Sequence, residues 1–208
     1  FPNSTTNFTG FSGPFLMTQQ NGIWSSASLT NLVFDNNLWI SHTATSFNSH
    51  LEQIFLSKNL ELKQELVFSS GHTAIVKSTL KNIGKSNKHF QYHFKNETLL
   101  ADDLKLSSIG NKLLINSSKT SAIGHVVFPK EIILKSNDSS YVSNTINIEL
   151  KPNETKEFTI SQTFIFPEYS WEEELKSIKN ITFKAIIEKR KTEKNKELKT
   201  LIKNRKEQ

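Results

Sequence analysis

Apolar and polar side chains alternate with period two along much of the chain. Leu60, Leu62, Leu66 and Phe68 share one parity, while Glu61, Lys63 and Glu65 take the other. Such alternation is the mark of a strand with one buried face. Ala74, Val76 and Leu80 against Lys77, Thr79 and Lys81 repeat it, as do Phe90, Tyr92 and Phe94, then Ile146, Ile148 and Leu150. The strongest run is Phe158, Ile160, Phe164 and Phe166, stopped by Pro167. Ser69-Ser70-Gly71, Asn82-Ile83-Gly84, Ser136-Asn137-Asp138 and Lys151-Pro152-Asn153 supply turn chemistry between the runs. Residues 1–22, rich in Asn, Ser, Thr and Gly, read as loop with a turn at Gly10-Phe11-Ser12-Gly13-Pro14. Many short strands with no helical pattern between them predict an antiparallel β-sandwich rather than a βαβ protein.

The period changes after Pro167. Ser170 has the character of a helix N-cap, and Glu172-Glu173-Glu174 complement the dipole of a first turn. Leu175 and Ile178 continue at helical spacing. Residues 184–208 contain no Gly or Pro, and Ile186, Ile187, Leu198, Leu201 and Ile202 form a thin apolar stripe. A stripe this sparse does not hold a helix by itself, so it is expected to pack on something. The predicted organisation is a mainly β, antiparallel sandwich over 1–167 and a helical linker with a basic tail over 168–208.

Composition narrows the functional classes. The 208 residues include no Cys, which excludes a disulfide framework, a thiolate metal site and a cysteine nucleophile. Apolar runs are only a few residues long, too short for a membrane span. Fifteen Phe are too much apolar material for a disordered chain. The net charge of +6 would suggest a polyanion partner if it were spread over the molecule. It is not: residues 184–208 hold ten Lys/Arg and four Glu, leaving sixteen of each sign over 1–183. The tail also lacks the interleaved aromatics used to stack nucleic-acid bases, so a solvated helix face is expected and nucleic acid is not an expected partner. The chain begins with Phe1, consistent with removal of a leader or with a piece of a longer polypeptide, and no signal-peptide pattern is visible at its start.

Candidate chemistry is sparse. His89 and His93 lie on one parity of a strand, about 13 Å apart at strand rise, too far to share a metal ion. Asp102 and Asp103 are adjacent, so on an extended strand they face opposite ways, unlike the paired carboxylates of a glycosidase. There is no Gly-x-Ser-x-Gly elbow, phosphate-cradling glycine loop or His-Glu-x-x-His helix. No catalytic residue, metal ligand or cofactor is read from the chain. Asn-x-Ser/Thr triplets at Asn3, Asn7, Asn96, Asn116, Asn137, Asn153 and Asn180 carry little weight in a sequence with twenty Asn. Aromatic rings are the usual grip for sugars. Trp39, between Leu38 and Ile40, reads as core, whereas Trp24, Phe11 and Phe15 are the candidate carbohydrate contacts.

Several segments resemble one known domain. Gly10-Phe11-Ser12-Gly13-Pro14-Phe15-Leu16-Met17 followed by Trp24-Ser25-Ser26-Ala27 is similar to the opening of the N-terminal β-sandwich of bacterial glucosidases of glycoside hydrolase family 63. The likeness continues at Leu51–Leu56, Leu60–Phe68, Thr73–Leu80 and Phe94–Leu100. Trp171-Glu172-Glu173-Glu174-Leu175-Lys176 resembles that family's first linker helix, which marks Trp171 and Leu175 as expected linker and domain-packing residues. The resemblance covers roughly residues 10–180. It implies a super-sandwich joined by linker helices to an (α/α)6 barrel, where the acid and base that hydrolyse α-glucosidic bonds with inversion reside. It further implies a periplasmic or secreted location and contact with α-glucan or oligosaccharide. This chain contains no barrel and lacks the aromatic lead-in before the glycine-rich turn. The expectation is therefore a non-catalytic N-terminal domain whose barrel partner lies in cis or comes from a split gene, or else a decayed paralogue. The alternative expectation is a standalone carbohydrate-binding or adhesion sandwich.

Overall fold

The alternating stretches build two packed antiparallel sheets in the computed structural model, which describes residues 9–11, 17–18, 22–23, 29–34, 39–96, 103–118, 121–179 and 182–206. In chain order the strands are β1 (Met17–Thr18), β2 (Gly22–Ile23), β3 (Asn31–Phe34), β4 (Ile40–Ser46), β5 (Leu51–Ser57), β6 (Leu60–Phe68), β7 (Thr73–Asn82) and β8 (Lys88–Lys95). They continue with β9 (Leu104–Ile109), β10 (Lys112–Ser117), β11 (Ile123–Val127), β12 (Leu134–Ser136), β13 (Tyr141–Ser143), β14 (Ile146–Leu150) and β15 (Thr155–Ile165). Helices α1 (Trp171–Lys179) and α2 (Phe183–Lys206) follow. The large sheet has the order β4-β5-β6-β7-β15-β11-β10-β9. The small sheet has the order β12-β13-β8-β14, with β3 also paired to β8, and β1 pairs β2 in a separate short ladder.

Turn chemistry sets the register. Lys58-Asn59 is the two-residue connection between β5 and β6, so Ser57 pairs Leu60 and residues equally distant from the turn become partners, ending with Leu51 opposite Leu66. Asn137 closes the β12–β13 connection by accepting the backbone N–H groups of Ser139 (2.9 Å) and Ser140 (2.7 Å). Between β14 and β15 the backbone turns through Asn153 at φ 64°, in the left-handed region that Asn tolerates.

The core lies between the sheets. Phe55, Leu62, Leu80, Phe158, Ile160 and Phe164 of the large sheet meet Leu32, Phe34, Phe90, Tyr92, Phe94 and Tyr141 from the other layer. Tyr92 stacks on Phe158 across the interface, ring centres 5.4 Å apart and planes 9° apart. Trp39 is core, as its sequence neighbours imply, with its ring edge against Phe34 at 4.9 Å.

Two details depart from the simple alternation. Phe68, expected on the core parity of β6, is 40% exposed, while Val67 on the opposite parity is fully buried. Val67 is buried by a second covered surface: α2 lies on the outer face of the large sheet, and Val67 and Ile75 are buried there with Ile186 and Ile187. The apolar stripe of residues 184–208 is thus only half used. Ile186 and Ile187 pack, whereas Leu198, Leu201 and Ile202 remain exposed. No helix among the described residues is long and apolar enough to cross a membrane.

Candidate functional site

The outer face of the large sheet gathers most of the unusual side-chain chemistry. The helices are fixed to it by three kinds of contact. First, Ser170 caps α1, its Oγ accepting from the Glu173 N–H at 3.3 Å, and so aims the first turn at the sheet. From that turn Glu174 accepts hydrogen bonds from Ser70 Oγ (2.5 Å) and Thr73 Oγ1 (2.6 Å), and Thr73 also bonds Thr163 (2.8 Å). Second, rings stack: Trp171 lies parallel to His125 at 4.0 Å and 4°, and Tyr169 leans on His72 at 4.1 Å. Burial beneath Trp171 holds the His125 pKa below its usual range, opposed by nearby Glu172 and reinforced by Lys112. Third, Thr182 caps α2 through the Ala185 N–H (3.2 Å), Ile178 and Phe183 flank the buried Ile186–Ile187 patch, and Arg190 Nε donates to the Phe68 carbonyl at 2.7 Å.

Beside this apolar patch, Lys77 pairs with Glu157 at 2.8 Å. That hydrogen bond keeps the Glu157 carboxyl below its usual pKa.

Near the edge of the same sheet is a tighter cluster. Glu52 on β5 and Glu65 on β6 are direct cross-strand partners. Like charges in that position repel. Lys63, one diagonal away, lies 3.7 Å from Glu52 and 3.3 Å from Glu65. His50, at the end of the β4–β5 turn, completes the group: its ring nitrogen and the two carboxylates offer atoms all within 4.8 Å of one another. Ser49 Oγ is 2.9 Å from His50 Nδ1, and Phe47 stacks on the imidazole at 4.6 Å. Burial lowers the His50 pKa despite both glutamates, with Lys191 of α2 and Lys63 acting in the same direction as burial.

The residues singled out from sequence are distributed as follows. Phe11 is 4% exposed and packs on Leu66, Ala74 and Val76, so its ring face is occupied by the core instead of open to a sugar. Trp24 and Phe15 lie outside the described residues. Trp171 and Leu175 are both half-buried, and the Trp171 ring packs on the sandwich's own His125. His89 and His93 stand on β8 as a strand pair, and His89 is 3.6 Å from Glu149. Asp103 is buried and accepts from Ser117 Oγ, and Asp102 lies outside the described residues. The His50 cluster was not read from the sequence. Its signal was the two-residue turn at Lys58-Asn59, which places Glu52 opposite Glu65 by counting.

No family model matches the chain, and no curated protein matches it. Solved structures do. A protein assigned as a kojibiose phosphorylase, from the human microbiome, superposes with TM-score 0.55 at 12% identity over 71% of this chain. The chain spans only 23% of that protein's length. Weaker overlaps include the heparan sulfate lyase HepC of Pedobacter heparinus (TM-score 0.44, 12% identity, 69% of this chain and 25% of that one). A GH36 α-galactosidase of Geobacillus stearothermophilus overlaps at TM-score 0.37 and 6% identity, over 76% of this chain and 32% of its own. At these identities the likeness is one of fold: an antiparallel β-sandwich of the kind that forms part of a much longer phosphorylase chain.

Proposed function

We propose that this chain is a non-catalytic β-sandwich domain of an α-glucosidase-type glycoside hydrolase, one that carries an (α/α)6 catalytic barrel in the same polypeptide or as a separate one. The observation that carries this reading is the match to a kojibiose phosphorylase, which covers 71% of this chain yet less than a quarter of the phosphorylase. The sequence resemblance to family 63 glucosidases supports the finer assignment. The helices would act as the connection to the barrel. Leu198, Leu201 and Ile202, 54%, 63% and 50% exposed, supply an apolar stripe that the barrel would cover. Contact with α-glucan or oligosaccharide, and export to the periplasm or beyond, belong to the same proposal.

The test is to mix the full chain with a separately produced family 63 barrel and follow sedimentation, and in parallel to titrate maltooligosaccharides by calorimetry. Complex formation that Leu201→Asp weakens without lowering the melting temperature supports the reading. If the chain binds neither barrel nor sugar, the assignment fails.

A further inference from the structure

We propose that His50, Glu52 and Glu65 form a binding site for a divalent transition-metal ion of the zinc type, which takes the place of the Lys63 ammonium between the two carboxylates. The site has the right donors: one imidazole nitrogen and two carboxylate oxygens, a set borderline ions accept with water in the remaining position. It has nearly the right size. The three donor atoms lie within 4.8 Å of one another, whereas zinc bonds of about 2.0–2.2 Å place tetrahedral donors about 3.4 Å apart. Closing that gap takes a contraction of up to about 1.4 Å, which side-chain torsions of the histidine and the two glutamates supply.

Three further features distinguish the group from a chance meeting of acids. Glu65 and Glu52 are largely shielded, their side chains 12% and 20% exposed, so their mutual repulsion is weakly screened and demands a cation. They belong to adjacent strands of the large sheet in fixed register, so their backbones hold the two side chains opposite each other. The imidazole is oriented independently: Ser49 engages Nδ1 and Phe47 stacks on the ring, leaving Nε2 as the ligating atom. Lys63, 34% exposed, can swing into water when the ion enters. The exchange replaces one positive charge by two between two negative ones. The ion would join the β4–β5 turn to β5 and β6 beside Lys191 of α2.

The experiment uses the full chain stripped with a chelator and titrated with zinc chloride by calorimetry, with the melting temperature followed in parallel. The expected result is one ion bound at micromolar concentration and a raised melting temperature. Because removing an outer-shell partner of a metal ligand already costs about 10–100-fold in affinity, His50→Ala and Glu65→Gln should each weaken binding by at least about tenfold. His89→Ala, at an exposed histidine on β8, should leave it unchanged. Lys63→Met removes the resident cation and should tighten binding severalfold. Circular dichroism on each variant separates lost binding from lost folding, and His50→Gln serves if His50→Ala unfolds. No binding up to about 1 mM zinc, or equal binding by folded His50 variants, would overturn the site. A Lys63→Met chain that binds no more tightly would overturn the exchange. None of these results depends on a barrel or a sugar, so the site and the domain assignment fail separately.

Discussion

Tyr92 and Tyr141 are both buried tyrosines of the small sheet, and their hydroxyls have opposite situations. The Tyr141 hydroxyl donates to the Leu29 carbonyl at 2.5 Å, tying the segment before β3 to β13. Among the described residues the Tyr92 hydroxyl has no hydrogen-bond partner, and burial, with Glu131 nearby, pushes its pKa up to about 12. A buried polar group without a partner costs its desolvation, whereas a satisfied one returns it. Tyr141→Phe should therefore destabilise the protein by about 1 kcal/mol, because it removes a hydrogen bond to the Leu29 carbonyl in the core. Tyr92→Phe should be neutral or stabilising by up to about 1 kcal/mol, with the ring stack on Phe158 retained. Urea denaturation of the two variants reads both signs. Gly124 is constrained by packing: an added Cβ would sit 2.8 Å from Phe164 Cε2 and 3.1 Å from Ile115 Cβ. Gly124→Ala should cost about 1–3 kcal/mol by overpacking, measured the same way.

At the scale of elements, legibility from sequence followed the range of the interaction. The strands of the core were readable because a single buried face imposes period two, as in Phe90, Tyr92 and Phe94, and the cap at Ser170 was readable because it is local. Burial of Val67 was not, since it depends on a helix more than a hundred residues later covering the outer face. The His50 cluster depends on register, which alternation leaves open and a turn of known length fixes. The docking of α1 carries its own pH dependence. The His125 pKa is lower in the folded protein than in the unfolded chain, because the ring is half-buried beneath Trp171. As pH falls below the unfolded value of about 6.5, the unfolded chain takes up the proton first, so this contribution is full above that pH and shrinks below it. Hydrogen exchange of amides 171–179 should therefore accelerate between about pH 7 and about pH 5, after correction for intrinsic rates. His125→Phe keeps a ring against Trp171 without a titrating group and should flatten the profile. An unchanged profile in that variant would assign the effect elsewhere.

For the whole molecule, the question is whether α2 is an appendage or part of the folding unit. Its charge argues for an appendage: residues 184–208 contribute the entire +6, and the remainder of the chain is neutral. Its packing argues otherwise. Val67 is fully buried and Ile75 is 4% exposed, in a cluster completed by Ile186 and Ile187. Truncation after residue 182 would uncover both sheet residues, each worth about 1.5–3 kcal/mol when buried. It would also remove the net charge that keeps copies apart. The two consequences point the same way, toward a less stable chain that associates through the bared face. The expected result is a lower melting temperature and concentration-dependent sedimentation. Val67→Thr and Ile75→Thr placed in the truncated chain should restore monomeric behaviour but not stability, because they make the face polar without replacing the lost packing. A truncated chain as stable and monomeric as the full one would instead make α2 a pure connector, and its exposed Leu198, Leu201 and Ile202 would then be the part of the helix whose burial matters.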